Sequence, residues 1–270
     1  PSEIIEIHNR PHYLKYLINE GVKSKFVLYF HNDPLTMTGS KNLNERKYLV
    51  HICEKIIFNS LWSKKRFLEG IPSGSVSTEK LIVIFQSASK NKIKLNTKKK
   101  WITFVGKLNR SKGYDIFGNT IIKILNKHKN WSSIVVGDEP RDKIQFNHKK
   151  LNNLGFLKHH EVLNIYKKTC IAVICSRWEE PFGRTSLEAA ANGCAVIISN
   201  RGGLKETITD GIILKKLNHD VSLCPMYQDR RGTLCRLLVF VTIAPPENMN
   251  FVILSMTRLQ AWATLCAVME

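Results

Sequence analysis

The feature that most constrains the fold is an apolar run, Ile171 to Cys175, followed closely by the segment EEPFGRTSLEA at 179–189. An apolar run of this length is typical of a strand buried on both faces of a parallel sheet. The small-residue series that starts at Leu187 predicts the opening of a helix. Gly183 therefore falls in a strand-to-helix turn, where backbone N–H groups and a partial positive charge suit a phosphate.

Two carboxylates flank this turn. Glu180 precedes it, and Glu188 lies inside the predicted helix, with seven residues between the two. Each carboxylate can accept hydrogen bonds from sugar hydroxyls. A phosphate site between two such groups predicts binding of a nucleotide sugar.

The segment resembles the signature of the retaining GT-B glycosyltransferases of family four, or group 1, which is a Glu, seven residues and a second Glu, with an internal Phe-Gly. Further matches follow the family's order: WITFVGKLNRSKG at 101–113, SIVVGDEP at 133–140 and CAVIISNRGGLKE at 194–206. A Glu pair alone arises often by chance, but ordered matches make coincidence improbable. The resemblance implies an α/β fold of the GT-B type, with two Rossmann-like domains facing across a cleft and the first one incomplete.

The resemblance also implies roles for the residues of the signature. Glu188 would hold the ribose hydroxyls of a nucleotide diphosphate sugar, and Glu180 would face the sugar. The backbone at Phe182, Gly183 and Arg184 would hold the distal phosphate. The alternative for Glu188 is a surface helix residue without a ligand.

Cations are needed beside a leaving diphosphate, because negative charge develops there as the sugar bond breaks. Lys107 and Lys112 stand where the family has its basic pair. The first of these is usually arginine in the family, so Lys107 is a departure, and Arg110 is an alternative bidentate contact. Which cation touches phosphate stays open.

Two further turns carry candidate residues. Gly202 and Gly203 follow a predicted strand and either border the donor sugar or form an ordinary helix-entry turn. His31 follows the strand KFVLYF and resembles the family's acceptor-side histidine, with a plain turn residue as the alternative. Ser60 follows another strand and is predicted to cap the next helix.

No Asp-any-Asp motif occurs in the sequence, so the carboxylate-held divalent metal of the other large glycosyltransferase fold lacks its usual ligands. We therefore expect a metal-independent reaction with no cofactor besides the nucleotide sugar as substrate.

The charge balance favours anionic partners. Formal net charge is +19, from 41 Lys and Arg against 22 Asp and Glu. A glycan or glycolipid acceptor, or peripheral contact with an anionic membrane surface, would fit this charge, and so would solvated lysines that bind nothing. No aromatic-studded basic motif supports nucleic acid, which is not expected as a partner.

Seven cysteines occur without a CxxC pair, and Cys170, Cys175 and Cys194 lie in or beside apolar strand segments. They are predicted to be reduced core residues and not metal ligands. A cytoplasmic location follows as an expectation, with the inner face of the membrane as one option. The sequence starts at Pro1, so targeting cannot be judged from it.

Four parts are predicted along the chain. They are a partial acceptor-side Rossmann-like domain at 1–90, a lysine-rich linker at 91–100, the donor-binding Rossmann-like domain at 101–218 and an atypical tail at 219–270. The tail has no lysine, which suggests a frameshifted or chimeric end. A divergent helix pair is the alternative, since LSMTRLQAWATLCAVME has a helical apolar face.

The predicted function is transfer of a sugar, with retention, from a nucleotide diphosphate sugar to a hydroxyl acceptor. A non-catalytic nucleotide-binding remnant of such an enzyme is the leading alternative, because parts of the expected fold are missing from the sequence. A basic nucleic-acid-binding protein is the weaker alternative.

Overall fold

A computed structural model describes residues 3–89, 93, 95–142, 144–209, 211–214, 239–240, 253–256 and 262–266. The described residues fall into two compact units. The first comprises those within Pro1–Ser87, Glu179–Arg184 and Arg201–Thr207, and the second those within Ala88–Trp178, Thr185–Asn200 and Ile208–Glu270.

The first unit is built on a parallel four-stranded sheet in the order β1-β2-β3-β4. Its elements are β1 (Ile4–His8), α1 (His12–Asn19), β2 (Lys25–Phe30), α2 (Leu43–Ile52), β3 (Lys55–Phe58), α3 (Leu61–Leu68) and β4 (Leu81–Val83). Phe30, Phe58 and Phe67 are buried, and their rings pack together at centroid distances of 5.3–5.6 Å. The strand KFVLYF and the helix after Ser60 lie where the sequence analysis predicts them.

The last strand of this sheet is shorter than the apolar run that contains it. Residues 81–85 are all apolar, but β4 ends at Val83, which pairs with Phe58 at the end of β3. Ile84 and Phe85 are exposed. The strand stops where its partner stops, because a ladder needs neighbouring backbone.

The second unit has a six-stranded parallel sheet in the order β10-β9-β8-β5-β6-β7. Its strands are β5 (Lys99–Val105), β6 (Ser132–Val136), β7 (Leu151–Asn153), β8 (Thr169–Ile174), β9 (Ala195–Ser199) and β10 (Ile212–Leu214). The helices are α4 (Tyr114–Lys127), α5 (His159–Lys168) and α6 (Arg184–Ala191). The chain runs outward from β5 in one direction and from β8 in the other, so strand order reverses between these two neighbours.

Cys170, Cys175 and Cys194, which were predicted to be reduced core residues, lie in or beside strands of the second unit. Cys175 and Cys194 are buried, Cys170 is half-buried, and all three are free thiols. Burial raises the pKa of the Cys175 thiol to about 12. These cysteines therefore act as small apolar side chains of the core.

The helix of the signature begins earlier than predicted. Its small-residue series pointed to a start at Leu187, whereas α6 begins at Arg184. Arg184 and Thr185 carry no apolar signal, so a pattern search misses the polar first turn. Gly183 consequently lies directly before the first helical residue.

The described part of the tail is β structure. Three short strands, β11 (Val239–Phe240), β12 (Ile253–Met256) and β13 (Trp262–Cys266), form an antiparallel sheet. The helix-pair alternative is wrong for these residues, since short apolar runs do not distinguish a helix from a strand by periodicity.

The predicted α/β class with parallel sheets is confirmed by both units. Among the described residues, no helix has the length and apolar character needed to cross a bilayer.

Gly113, directly before α4, packs closely against the backbone at Cys175. It has φ +75°, and an added Cβ would lie 2.0 Å from the carbonyl oxygen of Cys175. Gly155 has φ +65° in the same unit, with nothing within 4 Å of the added Cβ. We expect Gly155→Ala to lose about 1–2 kcal/mol of unfolding free energy, and Gly113→Ala to lose a further 1–3 kcal/mol or so from overpacking.

Urea unfolding of the two alanine variants beside the wild type measures this difference. Equal losses in both variants would contradict the close approach of the two backbone segments.

Candidate functional site

The reversal of strand order places two loops side by side at the carboxyl edge of the second sheet. One loop runs from Gly106 to Gly113 after β5, and the other begins at Cys175 after β8. The carbonyl of Ser111 accepts the backbone N–H of Arg177 (2.9 Å) and of Trp178 (3.0 Å). Open α/β sheets bind ligands outside the carboxyl ends of their strands at such a switch point.

A charged pair ties the same loops together. Arg177 Nη2 donates to Asp115 Oδ2 at 2.7 Å, and its Nη1 also donates to the carbonyl of Arg110 at 2.8 Å. Burial alone would raise the pKa of Asp115, but hydrogen bonds and charge from Arg177 outweigh it, and the net pKa is lowered. The carboxylate therefore stays ionised as an anchor for the loop.

The three predicted phosphate-binding cations all lie on the first of these loops. Lys107 and Arg110 are exposed, and Lys112 is half-buried. Oδ1 of Asn109 accepts the N–H of Lys112 (3.0 Å) and the hydroxyl of Ser111 (2.8 Å), which shapes the turn. The structure thus brings Lys107, Arg110 and Lys112 to the switch point of the sheet.

Glu188 is a buried residue of α6, with 7% of its surface exposed. Its Oε1 lies 3.0 Å from Nε2 of His159, the first residue of α5, whose side chain is 60% exposed. A buried carboxylate needs such a partner because desolvation is costly. Glu188 is therefore not a surface residue, and its carboxylate has a partner on α5.

Within the first unit, the segments after β8 and β9 pack on each other. Glu179 Oε2 accepts the N–H of Gly202 at 2.6 Å, and the carbonyl of Glu180 accepts the N–H of Gly203 at 2.7 Å. Gly202 has φ +57°, and an added Cβ would meet the Glu180 carbonyl at 2.2 Å. The predicted pair Gly202 and Gly203 is thus held directly against half-buried Glu180.

Phe182 and Gly183 have distinct structural roles beside this contact. Phe182 is buried and packs against Phe85, with ring centroids 6.3 Å apart. Gly183 adopts φ +105°, a conformation that side chains disfavour. Arg184 is exposed at the start of α6.

The N-terminus of α3 contacts the same two segments. Ser60 Oγ accepts the N–H of Ser63 (2.9 Å), which confirms the predicted cap, and donates to the carbonyl of Pro181 (2.6 Å). Glu206 accepts the N–H groups of Leu61 (2.7 Å) and Trp62 (2.9 Å). A carboxylate is favourable there because the helix start carries partial positive charge.

His31 lies in a separate network at the carboxyl edge of the first sheet. Its Nε2 is 2.9 Å from Nδ1 of His8, and Oδ1 of Asn9 accepts its backbone N–H at 2.7 Å. Burial and the neighbouring His8 lower the pKa of His31. Glu180 and His31 are the two residues predicted to act at the reacting centre. Glu180 packs against the Gly202–Gly203 turn, whereas His31 contacts His8 and Asn9.

Several contributing residues were missed by the sequence analysis. Glu179, His159, and the pair Asp115 and Arg177 were given no role. Only Glu179 carried a signal, since it stands beside Glu180 in the signature. The others act on partners far along the chain, which a motif does not reveal.

The Arg177–Asp115 pair makes a testable contribution to stability. Because the folded pKa of Asp115 is lowered from 3.8, the contribution is present at neutral pH and is lost as pH falls below that value through the folded pKa. We expect Arg177→Gln to lose about 1 kcal/mol at pH 7 and progressively less as the pH falls below 3.8. Thermal unfolding across this pH range measures the loss.

Asp115→Asn is the matched control, because it removes the same contribution from the other partner. The double variant should lose little more than either single variant. A loss in Arg177→Gln that does not change with pH would contradict the assignment.

Comparison with known proteins agrees with this architecture. The family model "Glycosyl transferases group 1" matches residues 85–221, about half of the chain. The match includes the loop after β5, the signature and the Gly202–Gly203 turn.

Two curated relatives illustrate the similarity. Spore coat protein SA of Bacillus subtilis (strain 168) is 31% identical over 126 residues, which cover 42% of this chain and 33% of that protein. Lipopolysaccharide core biosynthesis mannosyltransferase LpsB of Rhizobium meliloti (strain 1021) is 26% identical over 136 residues, which cover 47% of this chain and 38% of that protein. The matched stretch thus spans little more than a third of either relative.

The solved structures include Anabaena HepE in complex with UDP-glucose. It superposes with a TM-score of 0.60 at 18% identity, covering 78% of this chain and 64% of that one. Likeness at this identity concerns the fold, and it confirms the GT-B class expected from the sequence. With the family model matching half of its length, the chain belongs to the group 1 glycosyltransferases.

Proposed function

We propose that this chain acts as a retaining glycosyltransferase that moves a sugar from a nucleoside diphosphate sugar to a hydroxyl acceptor. The observation that carries the proposal is the buried carboxylate of Glu188 on α6, which is paired with His159 of α5. A buried, oriented carboxylate is suited to accept the two hydroxyls of a ribose. The UDP-glucose bound by Anabaena HepE supports a nucleotide sugar as donor.

The diphosphate of the nucleotide sugar is proposed to contact two sets of groups on the protein, backbone N–H groups and cationic side chains. Backbone N–H groups at Phe182, Gly183 and Arg184 stand at the start of α6, where a helix favours negative charge. Lys107, Arg110 and Lys112 supply positive charge from the loop after β5. Their shared position at the switch point of the sheet supports this assignment.

The transferred sugar is proposed to lie against Glu180 and the turn formed by Gly202 and Gly203. The close packing of that turn on the Glu180 backbone supports a joint role. His31 is proposed to orient the acceptor hydroxyl. The acceptor oxygen bonds to the anomeric carbon as the bond to the phosphate breaks, without a protein nucleophile, and the leaving phosphate takes the acceptor proton, so the reaction needs no protein base.

The acceptor is proposed to be a glycan or glycolipid of the cell envelope. The names of the relatives, a spore coat protein and a lipopolysaccharide core mannosyltransferase, support this class. Peripheral contact with an anionic membrane surface, at its inner face, is proposed from the net charge of +19. Exposed Tyr13 and Tyr16 on α1 would suit the interface of such a membrane.

A nucleotide-binding remnant without activity is the alternative function. Such a remnant would bind the nucleotide sugar at the same site but would not transfer the sugar to an acceptor. Turnover of a radiolabelled donor, with release of the nucleoside diphosphate, distinguishes the enzyme from the remnant.

Donor binding is tested by calorimetric titration with UDP, GDP and ADP and with their sugar conjugates. We expect selective binding of one nucleotide. Glu188→Ala should weaken it at least tenfold, because a hydrogen bond to a charged group contributes about 1.5–3 kcal/mol. Glu79→Ala, which removes an exposed carboxylate of the first unit, should leave the affinity unchanged.

No selective binding by folded wild-type protein would overturn the proposed donor site. If Glu188→Ala and Glu79→Ala weakened nucleotide binding equally, the change in net charge alone would explain the loss of affinity. That result would overturn the role of Glu188.

Metal independence is tested with a chelator. We expect turnover of the donor to stay within about twofold when EDTA replaces Mg²⁺ or Mn²⁺, because Lys107, Arg110 and Lys112 supply the positive charge at the diphosphate. Loss of turnover in EDTA, restored by a divalent cation, would show that a metal takes part.

A further inference from the structure

A row of polar side chains crosses the carboxyl end of the first sheet. Glu6 and His8 lie two residues apart on β1, so they share one face of the strand. His8 pairs in register with Tyr29 of β2, and His31 follows two residues later. The row comprises Glu6, Tyr29, His8 and His31.

The members of the row contact one another in sequence. His8 Nε2 lies 3.7 Å from Glu6 Oε2, and the Tyr29 hydroxyl donates to Glu6 Oε1 at 3.4 Å. His8 Nδ1 lies 2.9 Å from His31 Nε2. The His8 ring also stacks on Tyr29 with centroids 4.5 Å apart, which limits its rotation.

This order of contacts favours one placement of the protons. A neutral imidazole carries one N–H and one lone pair, and the hydrogen bond made by one nitrogen sets the state of the other. At 3.7 Å the Glu6 carboxylate is beyond hydrogen-bond range of His8 Nε2, but its negative charge favours the proton of His8 on that nitrogen, which leaves Nδ1 as an acceptor. His31 Nε2 must then donate, so Nδ1 of His31 keeps its lone pair.

The backbone around His31 is fixed on both sides. Its N–H is donated to Oδ1 of Asn9 (2.7 Å), and its carbonyl accepts from Nδ2 of Asn59 (2.9 Å). Burial, together with the nearby His8, lowers the pKa of His31 and favours the neutral ring. A neutral ring in a fixed position is what a defined tautomer requires.

We infer that Glu6 and His8 are positioning residues that hold His31 in the Nε2–H tautomer, which makes its Nδ1 a hydrogen-bond acceptor for a hydroxyl of the acceptor substrate beside the one that attacks the sugar. The choice of hydroxyl rests on the proposed function, whereas the tautomer rests on the contacts alone. A lone pair on a neutral ring accepts a hydroxyl proton and offers no attraction to a carboxylate or phosphate.

Long-range ¹H–¹⁵N NMR of the full chain, labelled at histidine, reads the tautomer directly. We expect both His8 and His31 to show a protonated Nε2 and an unprotonated Nδ1 at neutral pH, with His31 assigned from a His31→Gln variant. Glu6→Gln and His8→Phe should each convert His31 to a mixture of tautomers. His8→Phe keeps an aromatic ring for stacking on Tyr29, and Glu20→Gln is a control for loss of an exposed carboxylate.

His31 protonated on Nδ1 in the wild type would overturn the inference. So would an unchanged His31 tautomer in both Glu6→Gln and His8→Phe. Signals of the remaining histidines, of nine in the chain, report whether each variant is folded.

This experiment is independent of the donor site. It needs no nucleotide, so failure of the calorimetric titration would leave it intact, and failure of the tautomer test would leave the proposed transferase function intact. Donor affinity should be unchanged in His8→Phe, whereas kcat/KM for an alcohol acceptor should fall at least fivefold.

Discussion

The candidate donor site depends on the backbone contact between the loops after β5 and β8. The carbonyl of Ser111 accepts two N–H groups from the second loop, and Gly113 lies against the Cys175 carbonyl with no space for a Cβ. The Arg177–Asp115 pair adds a charged contact across the same loops. These contacts hold the start of the loop after β8 against the loop after β5. The same contacts hold the loop after β5, which carries Lys107, Arg110 and Lys112.

Much of the fold was predictable because buried parallel strands are short apolar runs. The strands ending at Phe30, Phe58 and Ile174 are examples, since each is nearly continuous in apolar residues and is followed by polar ones. Boundaries were less predictable. The end of β4 depends on where β3 stops, and the polar first turn of α6 gives no apolar period. Both are set by neighbours in space and not by the local sequence.

The candidate site was predictable to the extent that it consists of a motif. Glu180, Gly183 and Glu188 follow from the spacing of the motif, and the cations from the resemblance to the family's basic pair. The partners that orient these groups were not predictable. His159 reaches Glu188 across 29 positions, and Glu206 reaches Leu61 across 145. Such pairs arise from the tertiary fold, so no local pattern contains them.

Hydrogen exchange with mass spectrometry, measured with and without the nucleoside diphosphate selected by calorimetry, tests the location of the proposed donor site most directly. Bound phosphates should engage backbone N–H groups and slow their exchange. We expect slowed exchange in 106–113 and 182–188, with little change in β1 and β2. Unchanged exchange in both segments at saturating nucleotide, or slowing confined to the first sheet, would contradict the donor site described for this chain.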